Sequence, residues 1–96
     1  MVTALVMINT HRDAVNKVAE ALVEISGVTE VYSVAGKYDL IALLRVPSNE
    51  AMADLVTEQI LEVDGIESSE TLLAFRVHSK FDLENIFEID TEEARN

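Results

Sequence analysis

The order of apolar and polar positions at the start of the chain predicts a strand followed by a helix. Residues 2–8 are apolar almost throughout and rich in β-branched side chains, which is typical of a strand buried on both faces. Apolar residues then recur at helical spacing, and this pattern predicts a helix from about residue 11 to residue 25. Thr10 is the expected N-cap of that helix and Gly27 its expected stop.

A similar order returns in the rest of the chain. Residues 28–34 and 40–46 predict two strands, and the short segment between them predicts a hairpin. Ser48 is the expected cap of a second helix with Glu50 in its first turn, and residues 69–78 predict a fourth strand. Alternation places four residues on one side of the second strand: Val28, Glu30, Tyr32 and Val34. The expected apolar stripe of the second helix consists of Met52, Leu55, Val56, Gln59, Ile60 and Val63.

A short internal repeat indicates the fold class. Residues 24–28 (EISGV) and 62–66 (EVDGI) occupy the same place in two strand–helix–glycine–strand units. Two such units in series predict an α+β, ferredoxin-like βαββαβ domain over residues 1–80. Right-handed crossovers then place both helices on one face of a four-stranded antiparallel sheet.

Helices on one face leave the other face of the predicted sheet uncovered. That face is apolar as well, because both sides of the predicted strands are rich in apolar residues. The opposing sets are Val2, Ala4, Val6 and Ile8 against Leu5 and Met7 in the first strand, Leu40, Ala42 and Leu44 against Ile41 and Leu43 in the third, and Leu73, Phe75 and Val77 against Leu72 and Ala74 in the fourth. A soluble monomer rarely exposes an apolar patch of that extent. We therefore expect two copies to pack sheet to sheet as a symmetric homodimer.

The last 16 residues, 81–96, differ in character from the rest of the chain. They contain six acidic residues against one arginine, together with five large apolar side chains. We expect a short docked stretch, which could reach a partner subunit, followed by a disordered, solvated tail from about Thr91.

The charge of the chain argues against direct nucleic-acid binding. The net charge is −11, from 18 acidic and 7 basic residues, and the basic residues are scattered singly. Duplex DNA is a polyanion that proteins normally bind through a cluster of Lys and Arg. The chain has no cysteine, and its first apolar run is too short to span a bilayer. We expect a soluble cytoplasmic protein without a membrane partner.

The sequence offers little catalytic chemistry. His11 and His78 lack the short spacing of a metal site, and no nucleophile elbow, P-loop or dinucleotide-binding glycine motif is present. Asp39 is the one carboxylate within an otherwise apolar stretch, whereas acid–base catalysis by carboxylates needs a pair. We expect no enzyme activity, no metal and no cofactor.

Two polar segments are candidates for binding. Gly36-Lys37-Tyr38-Asp39 lies directly before the third predicted strand, and Ser68-Ser69-Glu70-Thr71 lies near the start of the fourth. Both fit purely architectural roles, since glycine accepts a positive φ and aspartate bonds to backbone amides in turns. The alternative is a pocket for a small zwitterion, in which amides of the first segment hold its carboxylate and Asp39 its ammonium group, while hydroxyls of the second segment complete the pocket.

These same segments make the chain resemble the effector domain of the leucine-responsive/asparagine (Lrp/AsnC) transcriptional regulators, also called the regulation-of-amino-acid-metabolism (RAM) domain. The similarity covers residues 2–78 and is carried by GKYDLIALLRVP at 36–47 and, one helix later, by Gly65-Ile66 and Ser69-Glu70-Thr71. The resemblance implies an amino-acid effector bound between dimers. The residues that match its site are Gly36, Lys37, Tyr38, Asp39, Ser69, Glu70 and Thr71.

The resemblance also assigns roles to these positions. Gly36, Tyr38 and Asp39 would contact the main-chain groups of the effector, and serine at 69, where threonine is common, would close the pocket with Thr71. Glu70 adds an acidic group that disfavours acidic effectors. The resemblance further implies a sheet-to-sheet dimer, of the kind that in this family is often assembled into rings of four dimers.

Full-length members carry a helix-turn-helix before this domain, whereas Met1 stands at the first predicted strand. We therefore expect a stand-alone domain that modulates a full-length relative by mixed assembly, or buffers a metabolite. Two other classes share the fold. A dimeric α+β barrel of the cofactor-free monooxygenase kind needs a roomy pocket between sheet and helices, and an ACT-type regulatory domain binds amino acids at a helix N-terminus beside a glycine-rich loop.

Overall fold

The computed structural model describes residues 1–80 of the chain, and within them the expected βαββαβ order is present. The sheet has four strands in the order β2-β3-β1-β4, and each neighbouring pair is antiparallel. The ferredoxin-like α+β class is thereby confirmed. The expected docked stretch and tail at 81–96 lie outside the described residues. The elements are β1 (Val2–Thr10), α1 (Val15–Val23), β2 (Val28–Ser33), β3 (Leu40–Val46), α2 (Asn49–Asp54) with a π-helical continuation (Leu55–Ile60), and β4 (Ile66–Ala74).

The core lies between the helices and one face of the sheet. In β1 and β3 the residues on that face are fully buried and pair directly across the strands as Ala4–Leu44, Val6–Ala42 and Ile8–Leu40. The helices contribute Val18 and Leu22 from α1 and Ile60 from the π-helical segment, all with no exposed surface. The alternation in β1 and β3 confirms the predicted faces of these two strands. Leu5, Met7, Ile41 and Leu43 lie on the opposite face, which we call the open face.

The second strand departs from simple alternation. The pairing of β2 with β3 shifts between Val28 and Glu30, where the ladder is irregular. Because the extra residue reverses the side to which later side chains point, Val28 is in the core and Val31 packs against the same core. The prediction that Val28 shares a side with Glu30 and Tyr32 is therefore wrong.

The first helix starts later than its polar pattern predicts. Thr10 is the last residue of β1, and its hydroxyl donates to the His11 carbonyl at 2.9 Å instead of accepting from a backbone N–H in the first turn of a helix. The helix runs from Val15 to Val23, and Ala14 precedes it without any side-chain cap hydrogen bond. The predicted N-cap at Thr10 is wrong, while Gly27 does follow the helix with a φ of 101°.

The second helix begins as expected and then widens. Ser48 Oγ accepts a hydrogen bond from Ala51 N at 3.1 Å, and Glu50 lies in the first turn, so both predictions are confirmed. A π-helical turn follows over residues 55–60, in which backbone hydrogen bonds join residues five apart in the chain instead of the four of an α-helix. Ile60 is therefore aligned with Leu55 in the core, and Gln59, predicted in the apolar stripe, is exposed.

The fourth strand is shifted relative to its prediction. It starts at Ile66, three residues before the expected start at 69, and it ends at Ala74, four residues before the expected end at 78. It is an edge strand beside β1, and the side chains from Glu67 to Leu73 are exposed. Phe75 and Val77 follow the strand and are 100% and 62% exposed.

Two glycines show that the internal repeat is structural. Gly27, after the first helix, and Gly65, after the second, have the same φ of 101°. A Cβ on Gly27 would lie 2.8 Å from Leu55 of the second helix, and a Cβ on Gly65 would lie 2.8 Å from Val18 of the first. Each unit therefore ends in a glycine that allows the chain to pass close to the helix of the other unit.

Candidate functional site

Asp39 joins the turn before β3 to the end of β1. Its backbone N–H donates to the Ile8 carbonyl at 2.9 Å, and its backbone carbonyl accepts from Val34 N at 3.0 Å. Its side-chain Oδ2 accepts from the backbone N–H of Thr10 at 2.9 Å. The expected architectural role is thus present. An ionised carboxylate offers about four acceptor sites, so this bond leaves capacity for a ligand donor.

Tyr38 joins the same turn to β4. Its hydroxyl donates to Glu70 Oε1 at 2.6 Å, between residues separated by 32 positions in the chain. This hydrogen bond raises the pKa of Tyr38, with smaller contributions from desolvation and from the negative charge of Glu70. Tyr38 therefore stays protonated at neutral pH and serves as a hydroxyl donor. The bond connects the two candidate segments, which the sheet places on either side of β1.

Gly36 and Lys37 form the exposed part of the turn. Gly36 has a φ of 120°, and a Cβ there would meet no atom within 4 Å. A glycine is therefore favoured at position 36 by the positive φ of the backbone and not by close packing. Lys37 Nζ lies 5.9 Å from the centre of the Tyr38 ring, within cation–π range.

The three candidate residues of β4 do not face the same way. Ser69 and Thr71 pair with Ile8 and Val6 of β1 and so point to the helix side of the sheet, whereas Glu70 pairs with Met7 and points to the open face. Ser69 and Thr71 are exposed although their partners in β1 are fully buried. Within one protomer, Tyr38 and Glu70 meet directly, while Ser69 and Thr71 lie across the sheet from Glu70.

Two neighbours of the site were not identified from the sequence. Thr10 supplies the amide that fixes Asp39, and His11 lies next to it with Nδ1 3.9 Å from Glu67 Oε2 at the surface. The antiparallel register of β1 and β3 places Thr10 beside the turn. That register could have pointed to the contact, but the helix prediction had assigned Thr10 to a cap.

A shallow surface cavity of about 350 Å³ lies away from these residues. Its lining residues come from the α1 region and from the segment between the π-helical turn and β4: Ala14, Lys17, Ala21, Val63, Asp64 and Gly65. None of these lining residues comes from the sheet, and the space between sheet and helices is filled by Ile8, Leu22, Leu40, Leu44 and Ile60. The cavity is therefore unlike the enclosed pocket that a monooxygenase of this fold requires.

Within residues 1–80, no three His, Asp or Glu side chains are grouped closely enough to hold a metal ion. In the same described part of the chain, no helix has the length and apolar character needed to cross a membrane. The chemistry that remains is that of the turn at 36–39: a carboxylate, a neutral phenol, an ammonium group and backbone amides.

The strand order and the filled core between the sheet and its two helices define the chain as a ferredoxin-like α+β domain. The chain belongs to the Lrp/AsnC ligand binding domain family, whose sequence model matches residues 3–82. The resemblance carried by the turn and β4 is therefore confirmed.

Known relatives agree with this assignment. An uncharacterised HTH-type transcriptional regulator of Pyrococcus furiosus is 33% identical over 76 residues, which cover 76% of this chain and 51% of the relative. The chain thus spans about half the length of the transcriptional regulators that it matches. The crystal structure of TTHA0845 from Thermus thermophilus is 46% identical, with a TM-score of 0.78 over 83% of this chain and 100% of that one.

A third relative supports the fold alone. It is the feast or famine regulatory protein of M. tuberculosis complexed with L-methionine, with 24% identity, a TM-score of 0.69, and coverage of 85% of this chain and 56% of that one.

Proposed function

We propose that this chain is an amino-acid-sensing and oligomerisation domain that acts in transcriptional or metabolic regulation. It belongs to a family of ligand-binding domains found in transcriptional regulators. One relative of the same fold is complexed with L-methionine, which makes an amino acid the first class of ligand to test. The family's regulatory character favours this role over an enzymatic one, and the proposed mechanism uses neither a metal nor a cofactor.

The observation that carries the proposal is the link between Tyr38 and Glu70, because it joins the two sequence-predicted segments into one polar surface. Asp39, fixed by Thr10 N, supplies a carboxylate for the ammonium group of an amino acid. The exposed amides around Gly36 are suited to its carboxylate. Glu70 and Asp39 together disfavour an effector with an acidic side chain.

We further propose that the open face is covered by a second copy in a sheet-to-sheet dimer. This face is built from the apolar residues that alternate with the core in β1 and β3, and it continues through Leu72 of β4, which is 46% exposed. Ser69 and Thr71 point away from Glu70 and cannot close a pocket around it within one protomer. They contribute to the site only if another subunit approaches, which favours a ligand held between dimers, as in a tetramer of dimers.

The proposed output passes through a protein partner rather than through direct DNA contact. The seven basic residues are too scattered to form a phosphate-binding surface, and the net charge of −11 repels nucleic acid. A full-length regulator of the same family offers a matching domain for mixed assembly. The proposed setting is the cytoplasm.

The test is a thermal-shift screen of the chain against the twenty amino acids, with light scattering on the same samples. A ligand at about 100 times its dissociation constant stabilises the folded state by roughly 2.7 kcal/mol, which raises the melting point by several degrees in a small domain. We expect a shift with one or a few neutral or basic amino acids and none with glutamate or aspartate. A flat profile with all twenty would overturn the proposal.

A further inference from the structure

Charged side chains on the open face are the basis of a further inference. Among the paired positions of the described sheet, three charged residues lie on that face: Glu30 in β2, Arg45 in β3 and Glu70 in β4. A second copy packed on the open face would remove these charges from water, and an unpaired charge is costly to bury. A covered open face therefore needs an opposite charge close to each of the three.

Arg45 is available for a partner. Its side chain is half-buried, and within residues 1–80 the guanidinium forms no ion pair. Glu30 is its diagonal neighbour on the sheet, because Glu30 pairs with Leu43, two residues before Arg45. The Glu30 carboxylate instead accepts a hydrogen bond from the Tyr32 hydroxyl. The donors of the Arg45 guanidinium thus remain for a group that approaches the open face.

Glu70 has one carboxylate oxygen engaged and one to spare. Its Oε1 accepts the hydroxyl of Tyr38 at 2.6 Å. Its Oε2 has no hydrogen-bond donor and no cation among the residues that the structure describes. Because an ionised carboxylate offers about four acceptor sites, Glu70 can hold Tyr38 and a guanidinium at the same time.

The register of the strands places Arg45 and Glu70 on opposite sides of Leu5. Arg45 lies in β3 and pairs with Thr3, two residues before Leu5. Glu70 lies in β4 and pairs with Met7, two residues after Leu5. Since β3 and β4 flank β1 on its two sides, Leu5 lies midway between the two charges. A two-fold axis that passes Leu5 in the plane between two facing sheets can therefore exchange the positions of Arg45 and Glu70.

We propose that a second copy packs on the open face with its two-fold axis near Leu5, so that Arg45 of each protomer pairs with Glu70 of the other. This inference rests on the sheet-to-sheet dimer proposed above and specifies how its two sheets are oriented. Two equal ion pairs then flank the apolar centre of the interface. The pairing also joins the interface to the candidate site, because the partner's Arg45 contacts the carboxylate that accepts the Tyr38 hydroxyl.

Charge balance on the covered face favours Glu70 over Glu30 as the partner of Arg45. When Glu70 receives the partner's Arg45, Glu30 still has the Arg45 of its own chain within diagonal reach. If the partner's Arg45 paired with Glu30, Glu70 would be left without a cation on the open face. The pairing with Glu70 thus gives each carboxylate of the face a positive charge nearby.

Exchange of the charges tests the pairing, with sedimentation equilibrium as the measure of the dimer dissociation constant. Arg45→Glu and Glu70→Arg each bring like charges together at both contacts, so each should weaken the dimer roughly a hundredfold or more. A chain with both substitutions should recover to within about tenfold of the unmodified chain. The matched control combines Arg45→Glu with Glu30→Arg. It has the same net charge as the first double variant and should stay as weak as Arg45→Glu alone.

Neutral substitutions give a second test that introduces no repulsion, and circular dichroism checks the fold of every variant. Arg45→Met and Glu70→Gln each leave a buried charge without its partner and should weaken the dimer about tenfold or more. The chain that carries both should be no weaker than the single variants, because the two residues act as one pair. Glu70→Gln keeps an oxygen that can accept the Tyr38 hydroxyl.

The outcomes separate this pairing from the dimer on which it rests. A monomeric unmodified chain would overturn both. A dimer that Arg45→Glu leaves unchanged overturns the pairing alone, as does a dimer that Glu30→Arg restores and Glu70→Arg does not. Additive losses from Arg45→Met and Glu70→Gln also overturn the pairing alone. Recovery with Glu70→Arg, together with non-additive neutral variants, supports the proposal.

Discussion

The carboxylate of Asp39 accepts the backbone N–H of Thr10, so one side chain has a structural role as well as the proposed binding role. Thr10 is only 6% exposed, and a buried donor without an acceptor costs about 1–3 kcal/mol. We expect Asp39→Ala to lower the free energy of unfolding by that amount. Asp39→Asn keeps an oxygen acceptor and should cost less than about 1 kcal/mol. Urea denaturation of both variants measures the difference, and equal losses would show that the bond to Thr10 does not contribute.

The hydroxyl of Tyr38 gives a prediction about pH. Its pKa is raised above 10.0, chiefly by the hydrogen bond to Glu70. A raised folded-state pKa means that the bond stabilises the fold fully below about pH 10, the unfolded value, and that this contribution is lost as the pH rises through the folded pKa. We therefore expect the unfolding free energy to fall more steeply above about pH 10 in the unmodified chain than in Tyr38→Phe.

A direct titration separates this effect from that of the other tyrosine. The chain has two tyrosines, and the pKa of Tyr32 is also raised, mainly by its hydrogen bond to Glu30. In a Tyr32→Phe background, the absorbance of tyrosinate reports Tyr38 alone. Glu70→Gln should then lower the pKa of Tyr38 toward 10.0, because a neutral amide oxygen is a weaker hydrogen-bond acceptor than the carboxylate and because the negative charge is removed. An unchanged midpoint would contradict the Tyr38–Glu70 contact.

At the scale of elements, the three glycines of positive φ should tolerate alanine to different degrees. Alanine at such a φ costs on the order of 1–3 kcal/mol through backbone strain. At Gly36 there is no further contact within 4 Å. At Gly27 the new Cβ would lie 2.8 Å from Leu55 Cδ2, the far end of a side chain with two rotatable bonds, and 3.1 Å from Val46 Cγ1. At Gly65 it would meet Val18 Cγ2 at 2.8 Å and Ala14 Cβ at 3.1 Å, and neither atom can move easily.

We therefore expect Gly65→Ala to be the most destabilising of the three, by about 1–3 kcal/mol more than Gly36→Ala, with Gly27→Ala between them. Thermal and urea unfolding of the three variants measures the order. If Gly36→Ala proved as costly as Gly65→Ala, close packing between the two units would not be what requires glycine at 65.

The alternating sides of β1 and β3 could be predicted because strand side chains alternate with a period of two. Burial follows this period strictly in β3, and over residues 3–10 of β1 the one departure is Met7, which is buried although it lies on the open face. The irregularity in β2 could not be predicted, since no glycine or proline marks the shift after Val28. Nor does the local sequence indicate the π-helical turn, in which Ile60 is buried as predicted whereas Gln59, predicted in the same apolar stripe, is exposed. In both cases one additional residue is accommodated in the strand or helix so that its neighbours can pack against the rest of the fold. The local sequence does not indicate where such a residue will be placed.

The candidate site, too, could be predicted from the sequence only in part. The two segments were found from residue chemistry and family resemblance, and their connection through Tyr38 and Glu70 depends on a strand order that places β1 between them. The N-cap prediction for Thr10 failed because a threonine before an apolar helical pattern imitates the start of a helix. A hydrogen bond with Asp39, 29 residues away in the chain, instead holds Thr10 at the end of β1. Long-range hydrogen bonds override a local cap signal.

At the scale of the whole molecule, the apolar open face predicts a sheet-to-sheet dimer. A single charge introduced on that face should dissociate this dimer. We expect a mass of about twice 10.6 kDa at micromolar concentration. Leu43→Glu places a carboxylate on the apolar open face and should shift the chain toward monomer, because an unpaired charge is costly to bury. Gln59→Glu adds the same charge to an exposed position on the helix side and should leave the dimer intact.

Sedimentation equilibrium distinguishes these cases, with circular dichroism as the check on folding. A monomeric unmodified chain would contradict the sheet-to-sheet dimer, as would a Leu43→Glu variant that stays folded and dimeric.

The most direct measurement of the sensing role is a calorimetric titration of the amino acid that gives the largest thermal shift into the unmodified chain and into Asp39→Asn. We predict saturable binding to the unmodified chain and affinity at least about tenfold weaker for Asp39→Asn, since a hydrogen bond to a charged group contributes about 1.5–3 kcal/mol. The mass and the unfolding free energy of the two should be nearly the same. Equal affinity in both, or no heat with either, would contradict the assignment of the turn at Asp39 as an amino-acid site.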